Sequence, residues 1–546
     1  ERYIQCKRGY NCAPDDMIRI PQLIREYCDP DSDLIAAVTW SADHLARINF
    51  MVGSFPFLNH ENSVSDDYSW PFPGPPALFR ALRNSLSQAA VNLASSKQIS
   101  NNVAVKYYDH HLTHAANAAY TSPFEECAVA VIDAFGESGS TGFFHYREGK
   151  LSAIPTGLPD IDEPRTESLG FFYARLCALC GFDPVKGEEW KVMGLASYGK
   201  YDSTIYELFR PMIKVEDLRL KPGCSNSDLL SRVSALRSRM RPAGSSPLES
   251  ADLAYTGQVV FEEVMTELLD HLYGRGISEN LALSGGCALN SSYAGRILNH
   301  TGFSQLHIPS APADDGNALG AAFLAYRDDY PQAPFSQRTQ TPYLGSAIKS
   351  DALERLVRFN GLQELIHAPD DIHLRAARLL TEGKIIGWAQ GRAEFGPRAL
   401  GNRSILADPR PQHMKDRINA EVKFREEFRP FAPSILQEHG PAWFEHFQKS
   451  DYMERTLRFR EEVRERVPAV VHVDGTGRLQ SVTRELNPRY YDLIKAFYDL
   501  TSIPLILNTS LNIMGKPIAH SIEDVLGLFF TTGLDALVIE DYLLEK

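Results

Sequence analysis

Short, unbroken apolar runs that end on a carboxylate or a pair of glycines recur along this chain, and each feeds a helix or a hairpin. The clearest is 127–133, six apolar residues followed by Asp133 and then by Gly136, Gly139 and Gly142. A run of that length without polar alternation reads as a strand buried on both faces. A hairpin follows over 143–146 and 151–154, turning at Glu148 and Gly149. The theme returns at 281–284, ahead of Gly285 and Gly286, and at 305–308, 384–389, 502–507 and 536–539. Further strands read at 34–40 and 103–108, and helices at 76–97, 287–298, 317–326, 350–359 and 371–381. Strands alternating with helices imply an α/β class. A Pro/Gln/Thr-rich stretch at 331–342 is the best linker, so two domains are expected, 1–340 and 341–546. Residues 51–76, rich in Pro, Phe, Ser and Asp, read as a long surface insertion.

Composition narrows the function classes. A hydrophobic content of 44% and a charged content of 23% are ordinary for a soluble globular protein. A net charge of −13 argues against a large nucleic-acid footprint, which needs a basic face, but leaves room for a local basic pocket. Eight cysteines in 546 residues are too sparse for a disulfide framework and suit a reducing compartment, hence the cytoplasm. Cys177 and Cys180 fall in an apolar helical pattern and read as buried thiols, because a zinc site wants a second pair. No apolar run approaches the ~20 residues of a membrane span, and no signal peptide opens the chain. The start at Glu1, without Met and without a first strand, suggests residues missing upstream.

Four groups of residues can carry chemistry. His110 and His114 are four apart and share one helix face, a spacing that suits one metal ion. The absence of a Glu after the first His removes the zinc-protease reading, and a polar helix start is the plainer alternative. Asp133 at a strand end and Asp314 in a turn opening a helix add two carboxylates, and two His with two Asp suit Fe(II), Mn(II) or Zn(II). Taken singly, each Asp reads equally as a cap or turn residue. Glycine turns at 133–139 and 284–286 let backbone N–H groups approach phosphate, although neither is a complete nucleotide-binding motif. Arg392, Arg398, Arg403 and Arg410 crowd a Gly/Pro-shaped loop after the strand at 384–389, and the run continues to Lys423 and Arg429. From 392 to 429 there are nine Lys/Arg against six Asp/Glu, inside an acidic protein. Guanidinium forks match phosphate oxygens, so a small polyanion is expected there; a solvated helix face is the alternative for Lys423 and Arg429. Asn508 to Asn512, just past the strand at 502–507, offers small donors for a nucleotide or phosphate, or is a plain turn.

Taken in order, these pieces resemble a known family. They are His110 and His114, the segment 133–137, the segment 189–199 from Glu189 to Gly199, 284–290, 396–404, 422–433 and 508–512. The set is similar to the O-carbamoyltransferases of nodulation and antibiotic tailoring, over nearly the whole chain. The resemblance implies an actin-like, Kae1-type first domain and a YrdC/Sua5-type second domain. It implies that the second domain condenses ATP with carbamoyl phosphate to carbamoyl adenylate and pyrophosphate, and that the first passes the carbamoyl group to a substrate hydroxyl, releasing AMP. Carried across residue by residue, it makes His110, His114, Asp133 and Asp314 ligands of a metal, iron(II) first, with Mg²⁺ accompanying ATP. Arg398, Lys423 and Arg429 become catalytic, Arg478, Ser510 and Asn512 line the adenylate-forming site, and Lys191, Gly285 and Gly286 lie near the nucleotide. The family's opening hairpin, with its His-Asp pair, has no counterpart here, so the acceptor's general base is not assigned.

The partners implied are carbamoyl phosphate, ATP and a small hydroxyl-bearing natural product such as an antibiotic, with no nucleic acid and no membrane. Actin-like folds of this kind often pair, which would make a homodimer. A tRNA threonylcarbamoyl-type transferase is the alternative enzyme, disfavoured by the net charge. A non-catalytic actin-like nucleotide-binding module is the alternative outside enzymes, and it leaves the 391–429 run without a task.

Overall fold

The computed structural model describes residues 19–41, 92–95, 99, 101–137, 139–156, 168–333, 341–359, 366–426 and 428–546. Cys6, Cys12, the segment 51–76, most of the expected helix at 76–97 and the middle of the 331–342 linker lie outside them. The fold is α/β, as the alternation of elements requires.

Strands β1 (Leu34–Val38) and β2 (Val103–Tyr107) form a parallel pair. A five-stranded sheet follows, built from β3 (Glu126–Gly136), β4 (Gly139–Arg147), β5 (Lys150–Ala153), β8 (Asn280–Ser284) and β9 (Gln305–His307), in the order β5-β4-β3-β8-β9. Strands β5, β4 and β3 make an antiparallel meander, and β8 and β9 extend it in parallel with β3. A small hairpin, β6 (Ile213–Glu216) and β7 (Arg219–Pro222), sits apart. Because β3, β8 and β9 run the same way, the ends of all three open on one edge. Asp133 near the end of β3, Gly285 and Gly286 after β8, and Asp314 after β9 are gathered there, where open α/β sheets place their ligands.

A second, nine-stranded sheet draws only on later residues: β10 (Ile366–His367), β11 (Ile386–Ala389), β12 (Arg403–Ala407), β13 (Ala432–Leu436), β14 (Arg455–Arg458), β15 (Thr476–Val482), β16 (Leu505–Ser510), β17 (Ala536–Ile539) and β18 (Tyr542–Glu545). Its order is β10-β18-β17-β11-β12-β16-β13-β15-β14. Its middle is dry: β11, β12, β13 and β17 are buried at every position, with Trp388 wholly enclosed.

Two expectations need correction. The arginine run is not one loop, because Arg403 opens the central strand β12, where Ile405 and Leu406 carry it into the core. The helix expected at 287–298 is broken into a 3₁₀ turn (Gly286–Leu289) and two single-turn helices (Ser291–Ala294, Ile297–His300). Asn290 ends the first piece and caps the second through its side chain, which accepts from Tyr293 N.

The two halves dock closely. Phe428 of the later half is buried in the hydrophobic core of the earlier one. Thr456 Oγ1 lies 3.1 Å from Ser291 Oγ, Gln448 Nε2 donates to Gly295 O at 3.2 Å, and Arg455 donates to the Leu306 carbonyl. Cys177 and Cys180 are buried in the helix Leu169–Leu179 and at its cap, unpaired, and burial pushes both thiols up. Among the described residues no helix is long and apolar enough to cross a membrane.

Candidate active site

The helix His110–Thr121 starts where Asp109 caps it, its carboxylate accepting from Leu112 N at 2.8 Å. Starting there, the helix presents His110 and His114 on one face, toward the open edge of the five-stranded sheet. His114 Nε2 stands 3.2 Å from Asp133 Oδ2 and 3.3 Å from Asp314 Oδ1; His110 Nε2 stands 3.6 Å from each. The four potential ligand atoms lie within 4.8 Å of one another. His110 Nδ1 faces the Thr39 carbonyl at 3.3 Å, which can only accept, so Nδ1 carries a proton and Nε2 is the nitrogen turned toward the carboxylates. Trp40 stacks on the His110 ring with centroids 4.2 Å apart. Asp133 Oδ1 is held by the amides of Ala134 (2.7 Å) and Gly286 (3.1 Å), leaving Oδ2 to face the imidazoles.

Electrostatics describe a cage built around a cation. Burial works against charge on His110, yet hydrogen bonds to Asp133 and Asp314 outweigh it and push the imidazole up to about 10. His114 is raised by the same balance. Loss of hydration beside the packed protein opposes charge on the carboxylates too, on buried Asp133 and on Asp314 at the open side, and the two histidines outweigh it, holding Asp133 well below its ordinary range and Asp314 down to about 2. Two nitrogens and two carboxylate oxygens, dry on three sides with exposed Asp314 at the mouth, fit a first-row divalent ion. Asn317, one turn beyond Asp314 and 2% exposed, brings its amide to 3.1 Å from His114 Nε2. Its only signal in the sequence is the three-residue spacing from Asp314.

The arginines divide into two kinds. Arg403 is fully buried, and its guanidinium donates to the carbonyls of Gln390, Asn402, Ser346 and Gly391 at 2.6–3.1 Å. Glu394 Oε1 accepts the amides of Leu400, Asn402 and Arg403, so the Gly/Pro loop is tied to its own carboxylate. Arg410 pairs with Asp408, and exposed Arg392 donates to the Leu344 carbonyl. These three are engaged by other groups of the protein, which sets Arg392, Arg403 and Arg410 aside from the part of the run expected to meet a polyanion. Arg398 is half-buried on the same loop.

The second kind converges. Arg425, Arg429 and Arg478 are driven down by burial, and Arg429 and Arg478 act on Arg425 by like-charge repulsion, as Arg429 does on Arg478. The Nε groups of Arg429 and Arg478 are buried without a hydrogen-bond partner among the described residues. Buried orphan donors on crowded cations mark a place built to receive an anion. His472 is close enough to Arg478 to feel its charge; burial first, then Arg478 and Lys415, push its imidazole down to about 4. In the sequence Arg425 is distinguished only by its place in the 422–433 run, and His472 by nothing.

Lys423 is 3% exposed, which removes the solvated-face alternative. Its ammonium lies 2.6–3.2 Å from Ser510 O and Oγ and from Asn512 O and Oδ1, fixing the turn after β16. Lys191 is buried between Glu188 (2.9 Å) and Glu426 (2.8 Å). Gly285 takes φ +91°, and an added Cβ would stand 2.3 Å from the Ile132 carbonyl oxygen.

Residues 79–323 match the family model for the carbamoyltransferase N-terminus and residues 377–546 that for the carbamoyltransferase C-terminus. The chain is 36% identical over 445 residues to nodulation protein NolO of Bradyrhizobium diazoefficiens, covering 80% of this chain and 79% of that protein. The chain belongs to the carbamoyltransferase family. It is thereby an enzyme of the transferase class. It is also 37% identical over 452 residues to nodulation protein NolNO of Sinorhizobium fredii, covering 81% of this chain and 64% of that protein's length. A solved structure of full-length HypF in its phosphate- and nucleotide-bound form is similar over 47% of this chain and 51% of its own, at 15% identity and a TM-score of 0.30, too low to bear on fold or site.

Proposed function

We propose that the protein is an ATP-dependent O-carbamoyltransferase. It forms carbamoyl adenylate from carbamoyl phosphate and ATP, and passes the carbamoyl group to a hydroxyl of a small natural product of the antibiotic type. The observation that carries this reading is the buried cradle of Arg425, Arg429 and Arg478, with two guanidinium Nε groups left unpartnered. A carbamoyltransferase-family chain needs such a cradle if it joins two anions that repel one another.

Atom balance sets the order of events. Pyrophosphate leaves ATP only when an oxygen attacks the α-phosphorus, so carbamoyl phosphate first loses phosphate to water and leaves carbamate. The carbamate oxygen then displaces pyrophosphate. In the second step the acceptor oxygen adds to the carbonyl carbon, its proton passes to a base, and AMP leaves with the bond's electron pair. Arg429, Arg478 and Arg398 offset the charge that accumulates as the two anions approach. Lys423 fixes the turn of Ser510 and Asn512 at the strand exit, which lines the adenylate-forming site in this reading. Lys191, Gly285 and Gly286 belong to the nucleotide side of the first half in this reading.

His110, His114, Asp133 and Asp314 would hold a divalent ion, iron(II) first and Mn(II) or Zn(II) by the same donor chemistry. When bound, such an ion supplies a Lewis acid for phosphate and carbonyl oxygens. The division of labour assigns transfer to an actin-like domain at 1–340 and adenylate formation to a YrdC-like domain at 341–546, with Mg²⁺ accompanying ATP. The confinement of each sheet to one half of the chain supports it. Incubation with ATP, carbamoyl phosphate and Mg²⁺ is expected to release pyrophosphate only when both substrates are present. No release, or release from ATP alone, would overturn the proposal.

A further inference from the structure

The loop that carries two of the three cradle arginines does not stand on its own half of the molecule. Phe428, between them, is buried in the other half's core. Pro430 lies against the helix Glu189–Ala196, 3.5 Å from where a Cβ on Gly194 would stand. Trp190 of that helix lies under Arg429, with the guanidinium carbon 3.9 Å from the ring centroid. Lys191, the next residue, binds Glu426 Oε1 at 2.8 Å, while Glu426 Oε2 reaches Arg429 Nη1 at only 3.3 Å.

These contacts do different things to Arg429. Stacking on an indole occupies the flat face of a guanidinium and leaves its N–H edge free. Arg429 is thus held in place while its Nε still has no hydrogen-bond partner among the described residues. Glu426 would compete with an incoming anion for the same edge. Lys191 draws one oxygen of Glu426 toward the first half and weakens that competition.

We infer that Trp190 and Lys191, in the first half, are positioning residues for the anion cradle of the second half: the indole fixes Arg429, and the ammonium keeps Glu426 from neutralising it. This rests on the function proposed above only in calling the anion a substrate phosphate. The consequence is that the cradle is complete only when the halves are docked.

Inorganic pyrophosphate, titrated calorimetrically into the full chain, tests the inference without turnover. Trp190→Ala is expected to weaken pyrophosphate binding on the order of tenfold, and Trp190→Phe, which keeps an aromatic face, by no more than about threefold. Lys191→Met is expected to weaken binding because Glu426 turns wholly to Arg429. Trp190→Ala binding within about twofold of wild type, or equal losses in the Phe and Ala variants, would overturn the role of the indole. Unchanged binding in Lys191→Met would overturn that of the ammonium, and this variant remains readable if Trp190→Ala does not fold. A wild-type protein that binds no pyrophosphate overturns both. A wild-type protein that binds pyrophosphate but forms none from ATP and carbamoyl phosphate removes the proposed reaction instead.

Discussion

Arg403 and Arg429 have the same side chain and opposite tasks, and their surroundings decide which. Four carbonyls enclose the Arg403 guanidinium, so it closes the loop 390–402 against β12. Arg403→Leu is therefore expected to cost about 3 kcal/mol of stability, because buried acceptors lose their donor; urea denaturation measures it. Both arginines leave Nε without a partner among the described residues, but Arg429 stands beside Arg425 and Arg478 with a single 3.3 Å contact from Nη1 to Glu426, so Arg429→Ala should unfold little and lose the anion. At Gly285 the backbone angle and the Ile132 carbonyl leave no room for a Cβ. Gly285→Ala is expected to destabilise the fold and to displace the Gly286 amide from Asp133, lowering metal affinity by roughly tenfold or more in a competition titration. None of this contrast is legible from spacing alone. Arginine density from 392 to 429 locates a cationic region, but which guanidinium meets a carbonyl and which is left wanting depends on strands paired across a hundred residues, such as β12 with β16.

Elements with uniform chemistry were legible, and those with mixed chemistry were not. The runs at 127–133, 281–284 and 536–539 are apolar throughout or nearly so, and each falls within a strand. Strand β12 begins with an arginine and β15 contains Arg478 and Gln480, so burial on both faces is hidden behind polar residues that find partners only in the fold. The His-rich helix was readable because Asp109 caps it and the four-residue spacing survives intact. Its pairing with a carboxylate of β3 and one that opens a later helix carries a pH signature. The metal-free His110 titrates near 10 when folded against an ordinary 6.5, so its stabilising contribution is full below 6.5 and is lost as pH rises toward 10. For Asp314, lowered from 3.8 to about 2, the contribution is present above 3.8 and is lost as pH falls through about 2. The thermal midpoint of metal-free protein is thus expected to fall on raising the pH from neutral toward 10, and to fall less when a divalent ion replaces the protons.

At the scale of the whole molecule, an acidic protein carries a cationic cradle along the seam between its halves. A net charge of −13 repels polyanions at long range, and salt screens that repulsion. Association with ATP and carbamoyl phosphate is therefore expected to quicken as ionic strength rises from low values, read by stopped-flow mixing; a rate that falls with salt would place the binding site on an exposed basic surface instead. The central claim is that adenylate formation belongs to the arginine cradle and is separable from the His/Asp cage. The most direct measurement compares pyrophosphate formation, in Mg²⁺ with ATP and carbamoyl phosphate, between wild type treated with a chelator selective for transition metals and untreated Arg429→Ala. Chelated wild type is predicted to keep forming pyrophosphate, and Arg429→Ala to lose about a hundredfold or more. Pyrophosphate formation that survives in Arg429→Ala, or disappears with the transition metal, would contradict the account.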